Sequence, residues 1–459
     1  MTTSCPKYLE EDNLSEEGKK LLSILPKEKG WLGSYAYNYQ GFWVPQKFLQ
    51  AVIAFQQQFQ AQDSDIILVT TPKSGTTWLK SLLFSLVNRV KHPIFEPNHP
   101  LLIDNPHVLV PFLEHTLYFD GRTVDISTFT SPRLLATHGP FASLPKSVQV
   151  SKTKLVYLCR NPRDTFISMW HFTNNLLLDQ KDTDSIEEMF NLFCKGVSLY
   201  GPFWNHVLDY WKQSIEKPNK IFFLMYEEIK KKPKIQLKRL AEFLECPFSI
   251  EEENSGVVDD ILKMCSFENL SNLEVNRNGK FSTGEAYKVF FRKGEIGDWK
   301  NYFTIEMSDK LNHIIEEKFQ GSRLKLLTTH VPFASLPKSV QYSKTKLIYL
   351  CMNPRNTFIS MWHFKNNLLL HHKYKNSIEE LFDLFCTRET LYGPFYNQML
   401  DYWKENIKNP NKILFLMYEE IKKKPKNQLQ RMFEFLECSF SIEEENSRVV
   451  DEILKMCSF

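Results

Sequence analysis

No two of the nine cysteines stand at CxxC spacing, and no Cys/His cluster has the spacing of a zinc site. A structural zinc or a redox pair is therefore not written into the chain. Long apolar runs are missing too, since none approaches the ~18 residues that a membrane span requires. The opening stretch, MTTSCPKYLEEDNLSEEGKK, is polar and acid-rich and lacks the apolar core of a signal peptide. Charge of one sign is equally scarce: 57 Lys and Arg face 54 Asp and Glu, for a net charge of +3 in 459 residues. That balance gives no footing for general nucleic-acid binding, so any anion site must be local. Cys159 and Cys194 sit in apolar runs and read as reduced core residues, which makes the cytosol the expected compartment.

What is present is a large apolar stock: 42% of residues are hydrophobic and 36 are Phe, enough for a sizeable core. The most informative stretch runs from Asp65 to Trp78. Ile66 to Val69 is a short unbroken apolar run, as expected of a strand covered on both faces of a parallel sheet. Pro72 and Gly75 break it, and from Thr76 the apolar residues Trp78, Leu79, Leu82, Leu83, Leu86 and Val87 recur at helical spacing. A buried strand, a tight turn carrying Lys73, Ser74, Gly75, Thr76 and Thr77, and a helix start together make a phosphate cradle. The free N–H groups of the first helical turn point at the anion, and Gly75 lets the backbone approach. Taken alone, the same turn also suits an ordinary connection with a solvated lysine. It is not a Walker A loop, because the lysine precedes the glycine and no glycine stands upstream.

Further strands are expected at Pro132–His138, Lys154–Cys159 and Ile221–Tyr226, with helices over Pro45–Gln60, Asp164–Phe172, Ile186–Ser198, Pro202–Lys212 and Lys234–Leu244. Strands alternating with helices imply an α/β fold with a mostly parallel sheet and ligands at the carboxyl ends of its strands. Residues 92–132, rich in Pro, His and Asn, read as loops, and residues 274–294 as a mobile loop.

The sequence then repeats itself. His138 to Phe267 matches His330 to Phe459 at a constant offset of 192, with roughly three-quarters of positions identical. The expected organisation is a complete domain over 1–325, followed by 326–459 as a partial duplicate of 134–267. The duplicate lacks any equivalent of residues 65–78 or of Arg292-Lys293-Gly294. It reads either as a fused or misassigned gene segment or as a second domain that exchanges strands with the first.

With TTPKSGTTW at 70–78, ATHGPFASLP at 136–145, CRNPRDTFIS at 159–168, MYEE at 225–228 and RKGEIGDWK at 292–300, the chain resembles the cytosolic sulfotransferases. It looks nearest to the plant branch, the flavonol, steroid and hydroxyjasmonate type. The resemblance covers residues 30–325 and returns over the partial copy. It implies an α/β fold whose central sheet is flanked by helices and carries a P-loop-like phosphosulfate-binding strand–loop–helix. It also implies transfer of a sulfonate from 3′-phosphoadenosine 5′-phosphosulfate to a hydroxyl of a small acceptor, without a metal. By resemblance, Lys73, Ser74, Gly75, Thr76, Thr77 and Trp78 would hold the 5′-phosphosulfate. Arg160, Ser168, Arg292, Lys293 and Gly294 would hold the 3′-phosphate. Trp78, Tyr226 and Phe267 would pack around the adenine, with Cys265 lining it, and His138 would be the catalytic base.

The residue types suit those roles. A donor phosphorylated at both ends needs two anion sites, and Arg binds phosphate through a planar fork. Arg160 alone would equally suit a surface ion pair with Asp164. An imidazole titrates near neutrality, so His138 would take the acceptor's proton while Lys73 neutralises charge on the leaving oxygen. The acceptor pocket is expected from amino-terminal aromatics and the loops near Phe141 and His171.

Two departures stand out. Animal relatives carry a second lysine just before the histidine motif, where this chain has Ala136. The family's dimerisation signature KxxxTVxxxE appears here as Lys300, Thr304, Ile305 and Asp309. In the second copy His330, Ser360 and Tyr418 persist, but Met352 stands for Arg160 and Asn356 for Asp164. Residues 330–459 are therefore expected not to bind the donor. A P-loop kinase would instead need an acidic metal ligand after a strand, for which Glu227 and Glu228 are the candidates. A non-enzymatic scaffold, in which the duplicate competes for the sheet, is the third reading.

Overall fold

The protein is described by a computed structural model covering residues 16–119, 125–126, 128–177, 184–281 and 283–319. Beyond these it covers 346–368, 377–387, 395–436 and the isolated positions 333, 336, 341 and 454. The chain divides into two compact units, Met1–Lys325 and Leu326–Phe459.

In the first unit residues 27–45 form an antiparallel meander of β1 (Lys27–Lys29), β2 (Tyr35–Tyr39) and β3 (Phe42–Pro45), followed by the helix Gln46–Gln58. The main sheet has four parallel strands: β4 (Ile66–Thr70), β5 (Leu134–Thr137), β6 (Lys154–Cys159) and β7 (Ile221–Met225), in the order β5-β4-β6-β7. Every residue of β4 is buried. Ile67 and Val69 point into one core with Tyr157 and Phe166, whereas Ile66 and Leu68 point into the other with Leu79 and Leu83. Two covered faces explain why this strand is an unbroken apolar run rather than an alternating one. Where β4, β5 and β6 end, the chain delivers Thr71, His138 and Arg160 to one edge of the sheet, and Tyr226 follows β7.

The helices expected from periodicity are observed as Thr76–Asn88, Pro162–Leu176, Ile186–Cys194, Phe203–Glu216 and Pro233–Phe243. The third is shorter than expected, because Gly196 at φ +88° turns the chain away. Residues 92–132 are not simply loops. They hold the short helices Pro100–Ile103 and Pro106–Leu109 and the π-helical turn Leu113–Leu117, and Phe112 bridges Ala136. Each short helix has proline in its first turn and a preceding side chain, His99 or Asn105, accepting from a backbone N–H. Residues 274–294 also differ from the loop expected. The helix Glu274–Asn278 is tied down where Asn276 donates to the carbonyl of Leu270 at 2.8 Å and accepts from Asn105 Nδ2 at 2.8 Å.

In the second unit, β8 (Leu347–Cys351) and β9 (Ile413–Met417) form a parallel pair, the counterpart of β6 and β7. Leu158 in β6 is fully buried, whereas its counterpart Leu350 is 56% exposed. β6 is flanked by β4, and among the described residues β8 has only β9 beside it.

Candidate active site

A cavity of about 340 Å³ opens at the carboxyl ends of β4 to β7. One end is the turn after β4. Lys73 at φ +66° and Gly75 at φ +106° fold it tightly, and a Cβ at Gly75 would meet the Tyr226 ring at 2.7 Å. Gly75 caps the helix Thr76–Asn88 without a side-chain hydrogen bond, so the helix start keeps its N–H groups for a ligand. Thr76 and Thr77 line the cavity, with Thr76 Oγ1 2.7 Å from Thr70 Oγ1 and Thr77 Oγ1 2.9 Å from His107 Nε2. The Lys73 ammonium lies over the rings of Phe172 (4.1 Å) and Phe290 (5.6 Å). Enclosure by protein, and then the charges of Arg160 and Arg292, push its pKa down to about 7.

The other end is built around Arg160, which is 6% exposed. Its guanidinium donates to the carbonyls of Glu295 (2.6 Å) and Lys73 (3.4 Å) and stacks on Tyr226 at 4.5 Å, while Nε has no partner. The surface ion pair with Asp164 does not form. Asp164 instead accepts from the backbone N–H of Gly297 (2.8 Å) and Trp299 (3.2 Å), docking the loop that carries Arg292 and Lys293. Those two cations are held by Asp298, at 2.5 and 2.7 Å. Burial opposes the charge of Asp298, but hydrogen bonds from Lys293, Arg292 and Asn301 outweigh it and hold its pKa at about 2. Gly294 sits at φ +67°, where a Cβ would strike the Phe267 ring at 2.6 Å, and its carbonyl accepts from Tyr226 Oη at 2.8 Å. Ser168 lines the same end.

Trp78, Tyr226 and Phe267 line the wall between the two ends, the first two in edge contact at 5.4 Å. Two expected residues do not line the cavity. Cys265 is fully buried behind it, with Sγ 3.4 Å from Ser85 Oγ, and its neighbours Ser266 and Phe267 face the cavity instead. The Ser74 hydroxyl turns inward to Thr71 Oγ1 at 2.5 Å, so only its backbone is available to a ligand. The expected acceptor wall is also shifted. Phe141 packs on Tyr210 in the core and His171 against Tyr302, whereas Phe112, Phe172, Phe290 and His107 form the lining.

His138 lines the cavity and is 8% exposed. Its Nδ1 lies 2.7 Å from the carbonyl of Thr70, which can only accept, so Nδ1 carries the proton and Nε2 keeps its lone pair. The backbone of His138 is held on both sides: its N–H donates to Glu114 Oε1 at 2.5 Å, and its carbonyl accepts from His206 Nε2 at 2.9 Å. Burial lowers its pKa to about 3; the Thr70 bond opposes this, and Lys80, His206 and Lys73 reinforce it. The imidazole is therefore a free base throughout the neutral range.

Sequence reading missed His107, Phe112 and Glu114, all from the segment taken as loops. The Asn105-Pro106 cap was the signal that would have marked a helix there. In the second unit, Met352 and Asn356 occupy the Arg160 and Asp164 positions, Ser360 is exposed and Tyr418 half-buried; His330 lies outside the described residues.

The cavity lining suits an anion phosphorylated at both ends. Lys73, Arg160, Arg292, Lys293 and Lys230 line it, and among the described residues no carboxylate does. Arg160 and Arg292 each keep a buried Nε without a partner. Comparison with known proteins agrees. A profile of the sulfotransferase domain family matches residues 63–323 and again 320–459. Cytosolic sulfotransferase 12 of Arabidopsis thaliana is 51% identical over 325 residues, covering 71% of this chain and 98% of that protein. Cytosolic sulfotransferase 5 of the same plant is 50% identical over 315 residues, covering 68% and 98%. A solved Arabidopsis thaliana sulphotransferase matches with TM-score 0.55 and 44% identity over 69% of this chain and 99% of that one. Retinol dehydratase, solved with androsterone and the inactive cofactor PAP, shares the fold at TM-score 0.52 and 20% identity, over 68% and 96%.

Proposed function

Because this chain belongs to the sulfotransferase family, we propose that His138 is the general base by which its first unit sulfonates a small hydroxyl acceptor. The protein is a sulfotransferase dependent on 3′-phosphoadenosine 5′-phosphosulfate. The observation that carries the finer reading is the fixed tautomer of His138, in a cavity that Lys73 and Arg160 also line.

Bound donor supplies an activated sulfonate and a stable bisphosphate leaving group. The residues that hold it are the backbone of Lys73 to Trp78 with the hydroxyls of Thr76 and Thr77 at one end, and Arg160, Ser168, Arg292, Lys293 and Gly294 at the other. Trp78, Tyr226 and Phe267 enclose the adenine. His138 Nε2 accepts the proton of the acceptor hydroxyl as its oxygen becomes nucleophilic. Lys73, recharged by the anion beside it, offsets the negative charge that develops on the leaving side. Phe112, Phe172, Phe290 and His107 form an aromatic wall beside Lys73, which suits a phenolic, flavonoid, steroid or related alcohol.

The second unit carries Met352 where the first has Arg160 and has no counterpart of the 65–78 phosphosulfate loop, which argues against a donor site of its own. A homodimer through Lys300–Asp309 belongs to this reading, supported by the signature-like residues Lys300, Thr304, Ile305 and Asp309 and by Ile305 being 76% exposed. The relatives named cytosolic, with no described helix long and apolar enough to span a membrane, support a cytosolic location. The test is a screen of phenolic, flavonoid and steroid alcohols with labelled donor. Transfer of label to a hydroxyl is expected, and its abolition in His138→Asn identifies the base; full transfer by that variant would refute the role.

A further inference from the structure

Behind His138 lie two ionisable side chains that the proposed reaction does not use. Lys80, on the helix Thr76–Asn88, is fully buried, and its Nζ has no hydrogen-bond partner. The ammonium nitrogen sits 3.5 Å from the centroid of Phe112, a ring that lines the cavity 4.5 Å from the imidazole of His138. Glu114, on the turn Leu113–Leu117, is 1% exposed. Its Oε1 holds the His138 N–H, and its Oε2 has no partner. A buried amine and a buried carboxyl oxygen left unsatisfied beside a reactive base is a costly arrangement for packing alone.

We infer that Glu114, with Lys80 as its buried partner, is a positioning and charge-balancing residue for His138. This rests on the reading of His138 as the base. Proton abstraction places a positive charge on an imidazole already surrounded by Lys80, Lys73 and His206. The ionised carboxylate of Glu114 offsets that charge from the strand-end side. Burial raises the Glu114 pKa to about 7, with hydrogen bonds from the N–H of His138, its own N–H and the Thr137 hydroxyl, and then the charge of Lys80, acting against it, so the carboxylate gains its charge in the working range. Burial drives the Lys80 amine well below its usual value, with Glu114 opposing. The other titratable groups facing this spot are His115, whose Nε2 is 4.0 Å from Glu114 Oε1, Tyr200 and Tyr210 from across the core, and His107 beyond Phe112. Burial holds both of these histidines well below their usual value and keeps them neutral, so neither duplicates the role.

The experiment is the pH profile of kcat at saturating substrates for the full chain, with thermal melting alongside. The wild type should rise through about pH 7. Glu114→Gln keeps an amide oxygen to accept the His138 N–H but removes the charge, and should lose that rise and at least tenfold in kcat above it, with the donor KM unchanged. Lys80→Met keeps a side chain over Phe112 and should move the rise to higher pH, because Lys80 lowers the Glu114 pKa. A Glu114→Gln enzyme with wild-type kcat and profile overturns the inference; if that variant fails to fold, an unmoved profile in Lys80→Met overturns it instead. His138→Asn separates the two claims. If it is inactive while Glu114→Gln matches wild type, only this inference fails, whereas an active His138→Asn removes the base itself.

Discussion

Nδ1 of His138 lies 2.7 Å from the backbone carbonyl of Thr70, the last residue of the strand that leads into the Lys73 turn. One hydrogen bond thus ties the base to the element that carries the anion cradle, and it fixes which nitrogen faces the cavity. His138→Asn should lower kcat by about 10²–10⁴, the usual contribution of a general base. Calorimetry with adenosine 3′,5′-bisphosphate should find its affinity unchanged. A parallel loss of nucleotide affinity would mean the residue supports the pocket rather than the chemistry.

Lys73 makes a second prediction. With its pKa near 7 in the free protein, about half of the molecules carry a neutral amine at that pH. An anion at the cradle favours the charged form and raises the pKa, so binding takes up protons, more at pH 8 than at pH 6. Bisphosphate titrations in buffers of different ionisation enthalpy measure this uptake directly. Proton release, or no buffer dependence, would contradict it.

Asp164 and Arg160 both hold the loop 291–299, through Gly297, Trp299 and Glu295, and the second copy carries Asn356 and Met352 at their positions. Arg160→Met should weaken bisphosphate binding about 10- to 150-fold, from the ~1.5–3 kcal/mol of a charged hydrogen bond. Asp164→Ala, which does not line the cavity, should also weaken binding by freeing the loop, while kcat at saturating donor stays near wild type.

A chain ending at residue 325 should sulfonate at the full chain's rate, and His330→Asn in the full chain should have no effect. Steady-state assays of the three proteins decide this. Much faster turnover by the shorter chain would mean the duplicate inhibits the catalytic unit.

The sheet and cradle were legible because several signals coincide. The unbroken run Ile66–Val69 is short and mostly β-branched, as suits a strand covered on both faces, and the chain turns at Gly75 just before a helical pattern begins. What misled was phase and composition. Successive residues on a helix point about 100° apart, so naming His171 turned the expected acceptor wall away from its neighbour Phe172, which lines the cavity; Cys265, named alongside Phe267, ends a helix with its thiol buried behind the wall. Glu114 and His107 were hidden in a segment whose prolines read as loop, although Pro106 opens the short helix that carries His107 and Glu114 sits on the π-helical turn after it. The bond from His138 to Thr70 joins positions 68 residues apart through a backbone atom, which no side-chain pattern encodes.

Binding of adenosine 3′,5′-bisphosphate to the full chain, compared with adenosine 5′-monophosphate, tests the two-pocket site most directly. The expected result is one bisphosphate per chain, bound at least about tenfold more tightly than the monophosphate, because Arg160, Arg292 and Lys293 meet only the doubly phosphorylated ligand. Equal affinity for the two, or no binding of either, would contradict the account.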